Sequence, residues 1–182
     1  MYIALEKKKT NVIEYVLYMW QVENIIRACK FDVNKIEETV INHLGLNENE
    51  KTLSKDWYSN LIKEMKLQGL EENGHRSEIM ETVAELTLLH TTLLKTFEDQ
   101  KYNILYNNSR GDISDLMMKQ QGVKSEIEAC FNGLYGMWML KISKKEISSQ
   151  TQQSIDKISK FMVQLAQNYH KMMNQVGAEL GI

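Results

Sequence analysis

Glu23 and Arg27 stand four residues apart inside "EYVLYMWQVENIIRAC", a stretch that is apolar on almost every side of a helix. At this i, i+4 spacing the two side chains share a face and can reach one another, beside Val16 and Trp20. The pair therefore reads as a partly buried ion pair that fixes how helices pack, because losing either member would strand the other charge in poorly solvated surroundings. A polar pocket built around the same two groups is the competing reading. His90 is the third candidate, at the centre of an apolar stripe in "LTLLHTTLLKTF". It is expected to point inward as a neutral imidazole bonded to a carboxylate or carbonyl. Glu23, Arg27 and His90 together form the candidate buried polar cluster.

No motif of catalytic spacing accompanies these residues. Carboxylate-bridged di-metal bundles need Glu-x-x-His on two helices, and the chain has one match, Glu72 to His75, in an expected turn. His43, His75, His90 and His170 are scattered, without His-Glu-x-x-His or a paired Cys-x-x-Cys. Cys29 and Cys130 lie in apolar stretches without a histidine close in sequence, so they read as small hydrophobes rather than activated thiolates. Gly133 and Gly136 fall within a helix and lack the Lys-Ser/Thr that follows a phosphate-binding loop. "NNS" at Asn107 and "RGD" at Arg110 read as turn chemistry, with Gly111 ending one segment and Asp112 capping the next. No catalytic residue, cofactor or metal ligand is assigned.

The elements that must position Glu23, Arg27 and His90 are helices. The 182-residue chain contains no proline, the commonest helix breaker. Its first helix, residues 12 to 29, leaves only a narrow polar strip of Glu14, Gln21 and Asn24. A helix apolar nearly all round should be buried by several neighbours. Asp32 can cap a short second helix, and a third is expected near residues 50 to 70. The fourth runs from Ser77 to Asn107 with Ile79, Val83, Leu86, Leu93, Phe97 and Ile104 on one stripe. The fifth, Asp112 to Ile142, has a small face at Ala129, Gly133 and Gly136 that predicts close approach of another helix, the first being the natural candidate. The last begins after Ser148 and carries its stripe to Met173. The expectation is an all-α single domain over residues 1–182, an up-and-down bundle of five or six helices with the first and fifth central.

Charge is balanced, 22 basic against 24 acidic residues for a net −2, which offers no field to gather nucleic acid or an anionic membrane. The sole dense basic run, Lys7 to Lys9, is short and adjoins Glu6. No uncharged run approaches the length of a membrane span, and two cysteines are too few for a secreted disulfide framework, so a cytoplasmic location is expected.

The segments "EKKKTNVIEYVLYMWQVENIIRACKFDVNKIE" and "GLYGMWMLKISKKEISSQTQQSIDKISKFM" resemble an uncharacterised Bacteroidetes domain-of-unknown-function family, and the resemblance runs end to end. It implies a small all-helical cytoplasmic bacterial protein with no assigned activity and no site residues to carry over. The residues point instead to a non-enzymatic interaction or scaffold protein. Eleven methionines suit adaptable apolar surfaces, and Met117, Met118, Met137 and Met139 on the fifth helix form the candidate interaction surface of a homodimer. The alternative is a module holding a small apolar ligand in a cavity near Trp20, Trp138 and His90, and an enzyme ranks third.

Overall fold

The computed structural model describes residues 2–97 and 99–180, with side chains described over 4–97 and 99–175. Among the described residues the protein is all-helical and has no strand. Eight α-helices form: α1 (Tyr2–Thr10), α2 (Val12–Ala28), α3 (Val33–Thr39), α4 (Glu48–Leu67), α5 (Ser77–Lys95), α6 (Gln100–Lys119), α7 (Glu126–Ile142) and α8 (Ser149–Leu180), with a short 3₁₀ turn at Ile41–His43. The contacts divide the chain into two compact units. The first comprises residues up to Lys9 with Glu14–Glu81, and the second Thr10–Ile13 with the residues from Thr82 onward.

Helix starts follow local capping. Asp32 accepts from the amide of Asn34 at 2.9 Å and starts α3. Asn47 and Glu50 exchange side-chain to backbone bonds at 2.9 and 3.0 Å, a capping box at α4. The Ser148 hydroxyl accepts from the Thr151 amide at 3.2 Å at the start of α8. In the first unit α3, α4 and the 3₁₀ turn pack together, with Ile36, Ile41 and Met65 fully buried. In the second, α6, α7 and α8 pack pairwise, burying Ile113, Phe131, Ile158 and Leu165. Residues of α2 are shielded from water as its apolar circumference demands: Val16, Trp20, Val22 and Ile26 are buried, while Glu14 on the polar strip is exposed.

The helix count exceeds the expected five or six for two reasons: α1 precedes the expected first helix, and the two segments expected as the fourth and fifth helices form three, α5, α6 and α7, because they break elsewhere than at "NNSRGD". The stripe of the expected fourth helix ends at Lys95, and Asp99 caps α6 by accepting from the Tyr102 amide at 2.9 Å. Phe97 and Ile104, read as part of that stripe, are exposed. Gly111 and Asp112 instead sit inside α6. Glycine in a helix costs only about 1 kcal/mol, and Asp112 is bonded to Ser154 Oγ at 2.6 Å and Lys157 Nζ at 3.0 Å on α8. The second break falls at residues 120–125, where Gly122 adopts φ +81° and Ser125 caps α7. The side chains nearest a Cβ built on Gly133 are Leu116 and Ile155, so the close neighbours there belong to α6 and α8, not to the helix carrying Glu23; at Gly136 nothing lies within 4 Å.

Candidate functional site

In the first unit the two charges of α2 do not pair with each other. The Glu23 carboxylate, 0% exposed, accepts from the Arg76 amide at 3.1 Å and lies 3.5 Å from Arg76 Nε. Its second oxygen bonds His75 Nδ1 at 2.6 Å. Arg27 donates through Nε to the Leu70 carbonyl at 3.0 Å, through Nη1 to Asn24 at 2.9 Å, and through Nη2 to the Gly74 carbonyl. The physical reason is that a helix end leaves backbone groups without helical partners. Glu23 takes the amide at the entrance to α5, where a negative charge is also favoured by the helix dipole, and Arg27 takes carbonyls of the loop that leaves α4. Acid and base thus grip one loop, residues 68–76, from the same face of α2.

His75 is held between Glu23 and Trp20, whose ring lies 4.0 Å from the imidazole and within 5° of parallel. A carboxylate bonded to one ring nitrogen fixes the ring's orientation, the relation found in acid-base sites. Here the same carboxylate also serves Arg76, and the imidazole is stacked, so the arrangement orients a loop as well as a ring. Sequence reasoning met His75 only as half of a Glu-x-x-His match in an expected turn and did not single out Arg76; the available signal was the basic pair "HR" directly before the start of α5.

Arg76 leads into a cleft of about 350 Å³ within the same unit. Its walls are Leu5 and Lys8 of α1, Tyr15 and Met19 of α2, Trp57, Asn60, Leu61 and Glu64 of α4, and Arg76 and Glu78 at the start of α5. Arg76 Nη1 bonds Glu64 and lies 3.7 Å from Glu78, and Glu78 receives Lys8 Nζ at 3.0 Å and the Tyr15 hydroxyl at 3.3 Å. Burial opposes ionisation of Glu78, but the hydrogen bond and charge of Lys8, with Arg76 and Tyr15, hold its carboxyl below the usual range. Burial, then the Glu78 charge, pushes the Tyr15 phenol up to about 12, so it remains a donor.

His90 has its partners in the second unit: Tyr102 Oη at 2.8 Å on Nδ1 and Glu126 at 3.2 Å on Nε2. Because a carboxylate only accepts, a neutral ring carries its hydrogen on Nε2 and accepts from Tyr102. Tyr106 also donates to Glu126, at 3.1 Å, and Phe161 meets the imidazole edge-on. The His90 hydrogen bond, opposed by burial and aided by Tyr106, holds the Glu126 carboxyl below its ordinary range. The structure therefore does not join Glu23, Arg27 and His90 through shared hydrogen bonds; each has partners within its own unit.

The remaining candidates separate similarly. Met117 and Met118 belong to α6 while Met137 and Met139 belong to α7, because the chain breaks at residues 120–125. Met137 is buried and is core, Met117 is half-buried, and Met118 and Met139 are exposed. Trp20 is stacked on His75, whereas Trp138 meets Tyr135 edge-on at 5.7 Å. Burial pushes the Cys130 thiol well above its ordinary range, and Cys29 Sγ lies 3.6 Å from Thr39 Oγ1. Among the described residues no group of three His, Cys, Asp or Glu is placed to hold a metal ion, and no helix is long and apolar enough to cross a membrane.

Neither the curated proteins nor the solved structures provide a match to the chain. One family model does match, over residues 1–175 of the 182, so that the chain belongs to the family described as a domain of unknown function, DUF4924.

Proposed function

We propose that the protein is a non-enzymatic helical interaction module that self-associates through the outward face of α7. One observation carries this reading. Helix α7 is apolar on nearly all sides, a pattern that ordinarily means burial by several neighbours, yet Gly136, Met139, Leu140 and Ile142 in its last two turns are exposed. Tyr135, Met139 and Ile142 recur at i, i+4 and i+7, and Lys141 is the single charge in these turns. The open space at Gly136 lets a second helix approach the backbone, and Tyr135 and Met139 form a ridge along one flank of it. A depression beside ridges on one surface is self-complementary, as a two-fold interface requires.

The reading treats the helices as a bundle that acts as a scaffold, which the pairwise packing of α6, α7 and α8 supports. It also places the protein in the reducing cytoplasm of a bacterium, which the buried free thiols Cys29 and Cys130 support.

Native mass spectrometry and light scattering on the full chain test it. A dimer is expected, and Met139→Glu or Ile142→Glu should give a monomer with unchanged far-UV circular dichroism. A wild-type chain still monomeric at about 100 µM, or a dimer indifferent to both substitutions, would refute the assignment.

A further inference from the structure

The His75 ring has one nitrogen against a fully buried carboxylate and the other open. Glu23 Oε2 lies 2.6 Å from Nδ1. A carboxylate only accepts, so the neutral ring keeps its hydrogen on Nδ1 and carries its lone pair on Nε2. That nitrogen meets no hydrogen-bond partner among the described residues, and the side chain is 22% exposed. Stacking on Trp20, 4.0 Å away and within 5° of parallel, fixes the plane in which the lone pair lies.

An imidazole whose Nε2 attacks an electrophile gains positive charge as the new bond forms. The Glu23 carboxylate stands on the far side of the ring, in a place water does not reach, and offsets that charge without having to reorganise. Arg76 shares this carboxylate through the other oxygen: Oε1 receives its amide and faces its Nε, while Oε2 is left to the imidazole. Imidazole takes acyl and phosphoryl groups. An acylimidazole is hydrolysed quickly, whereas a phosphoryl group on Nε2 persists. Its negative charge also suits the loop, because the Arg27 guanidinium is bonded to the carbonyl of Gly74, the residue before His75, and the positive end of α5 follows at Ser77. The carboxylates of Glu71 and Glu72 on the same loop are exposed and screened by water.

From this geometry we infer that His75 is a phosphoryl-acceptor site, loaded at Nε2 by a phosphoramidate-type donor in which phosphorus is bonded to a protonated nitrogen. The step is a displacement at phosphorus. The Nε2 lone pair forms the new N–P bond, the donor's P–N bond breaks, and its electron pair leaves on the donor nitrogen as a neutral amine. The Nδ1 hydrogen stays on the ring, bonded to Glu23, whose charge balances that of the ring; Glu23 is thus a positioning residue. No residue of α7 takes part, so this inference and self-association can fail independently.

Incubating the full chain with potassium phosphoramidate tests it, with phosphorus and nitrogen NMR to identify the isomer and mass spectrometry at neutral pH to map the site. His75 should gain a phosphoryl group at Nε2 about tenfold faster than His43, which is more exposed and has no carboxylate partner among the described residues. Reactivity set by exposure alone would give the reverse order. Glu23→Gln, which keeps an oxygen for the Arg76 amide, should slow His75 to the rate of His43 and let the phosphoryl group appear on Nδ1 as well, a change of isomer that a merely structural carboxylate would not produce. His75→Gln should abolish the fast phase. If Glu23→Gln fails to fold, the wild-type rates and isomer decide. Equal or faster labelling of His43, attachment at Nδ1 in the wild type, or an unchanged His75 rate in folded Glu23→Gln overturns the inference.

Discussion

Replacing Glu23 with alanine removes the acceptor that holds the entrance of α5. The Arg76 amide, 3.1 Å from that carboxylate, becomes a buried donor without its partner, which costs about 1–3 kcal/mol. The Arg76 guanidinium, 3% exposed, keeps Glu64 and Glu78, but those carboxylates are half-exposed and screened by water, so they compensate poorly. Removing one member of a buried pair typically costs about 3–5 kcal/mol. The two losses share one side chain and do not add, so the total for Glu23→Ala is expected at about 3–5 kcal/mol, a large part of a stability of about 5–15 kcal/mol. Glu23→Gln keeps an oxygen for the Arg76 amide and should cost less, about 1–3 kcal/mol. Urea denaturation followed by circular dichroism, with an unchanged slope, measures both values. Hydrogen exchange at the Arg76 amide reports the local bond, and its protection should fall in Glu23→Ala more than in Glu23→Gln. A loss below about 1 kcal/mol for Glu23→Ala, or unchanged protection of that amide, would show that the carboxylate does not hold the loop.

Stability should also depend on His170, whose Nε2 accepts the Val12 amide at 3.0 Å within the second unit and must be unprotonated to do so. Burial lowers its pKa from 6.5, so below that pH the unfolded chain binds a proton before the folded one. Stability should therefore be level above pH 6.5 and fall as pH drops below it, and the difference in melting temperature between wild type and His170→Gln should shrink over that window; a constant difference from pH 7.5 to about 5 would contradict this. The glycines of α7 should behave oppositely. Gly136→Ala meets no neighbour within 4 Å and should gain about 0.5–1 kcal/mol of monomer stability from helix propensity. Gly133→Ala places its Cβ 2.7 Å from Leu116 Cδ1, so the gain is offset by displacement of that side chain, and chemical denaturation of both variants should rank Gly136→Ala above Gly133→Ala.

Much of the fold is written locally. The apolar recurrence of α5, α7 and α8, the cap at Asp32 and the apolar circumference of α2 depend on neighbours three and four residues away, so they can be read without knowing the fold. The breaks were written locally too, at Asp99 and Ser125, but competed with the more conspicuous glycine at "SRGD". A helical glycine there costs little, and Asp112, which had the look of a cap, is satisfied by Ser154 and Lys157 over 40 residues away in sequence.

The polar site was only half legible. That α2 carries an acid and a base amid apolar surroundings is a property of its sequence, and the shielding of Glu23 follows from the character of that helix. Which groups answer those charges is not local: His75 and Arg76 lie 52 and 53 residues beyond Glu23, and they reach it because the chain turns between α4 and α5. An i, i+4 pair is merely available to Glu23 and Arg27, whereas the loop's unsatisfied amide and carbonyls must find partners wherever water is excluded. The residues alone set the helices and their buried faces; tertiary structure chose the partners, because a hydrogen bond demands a particular atom at a particular distance and apolar burial does not.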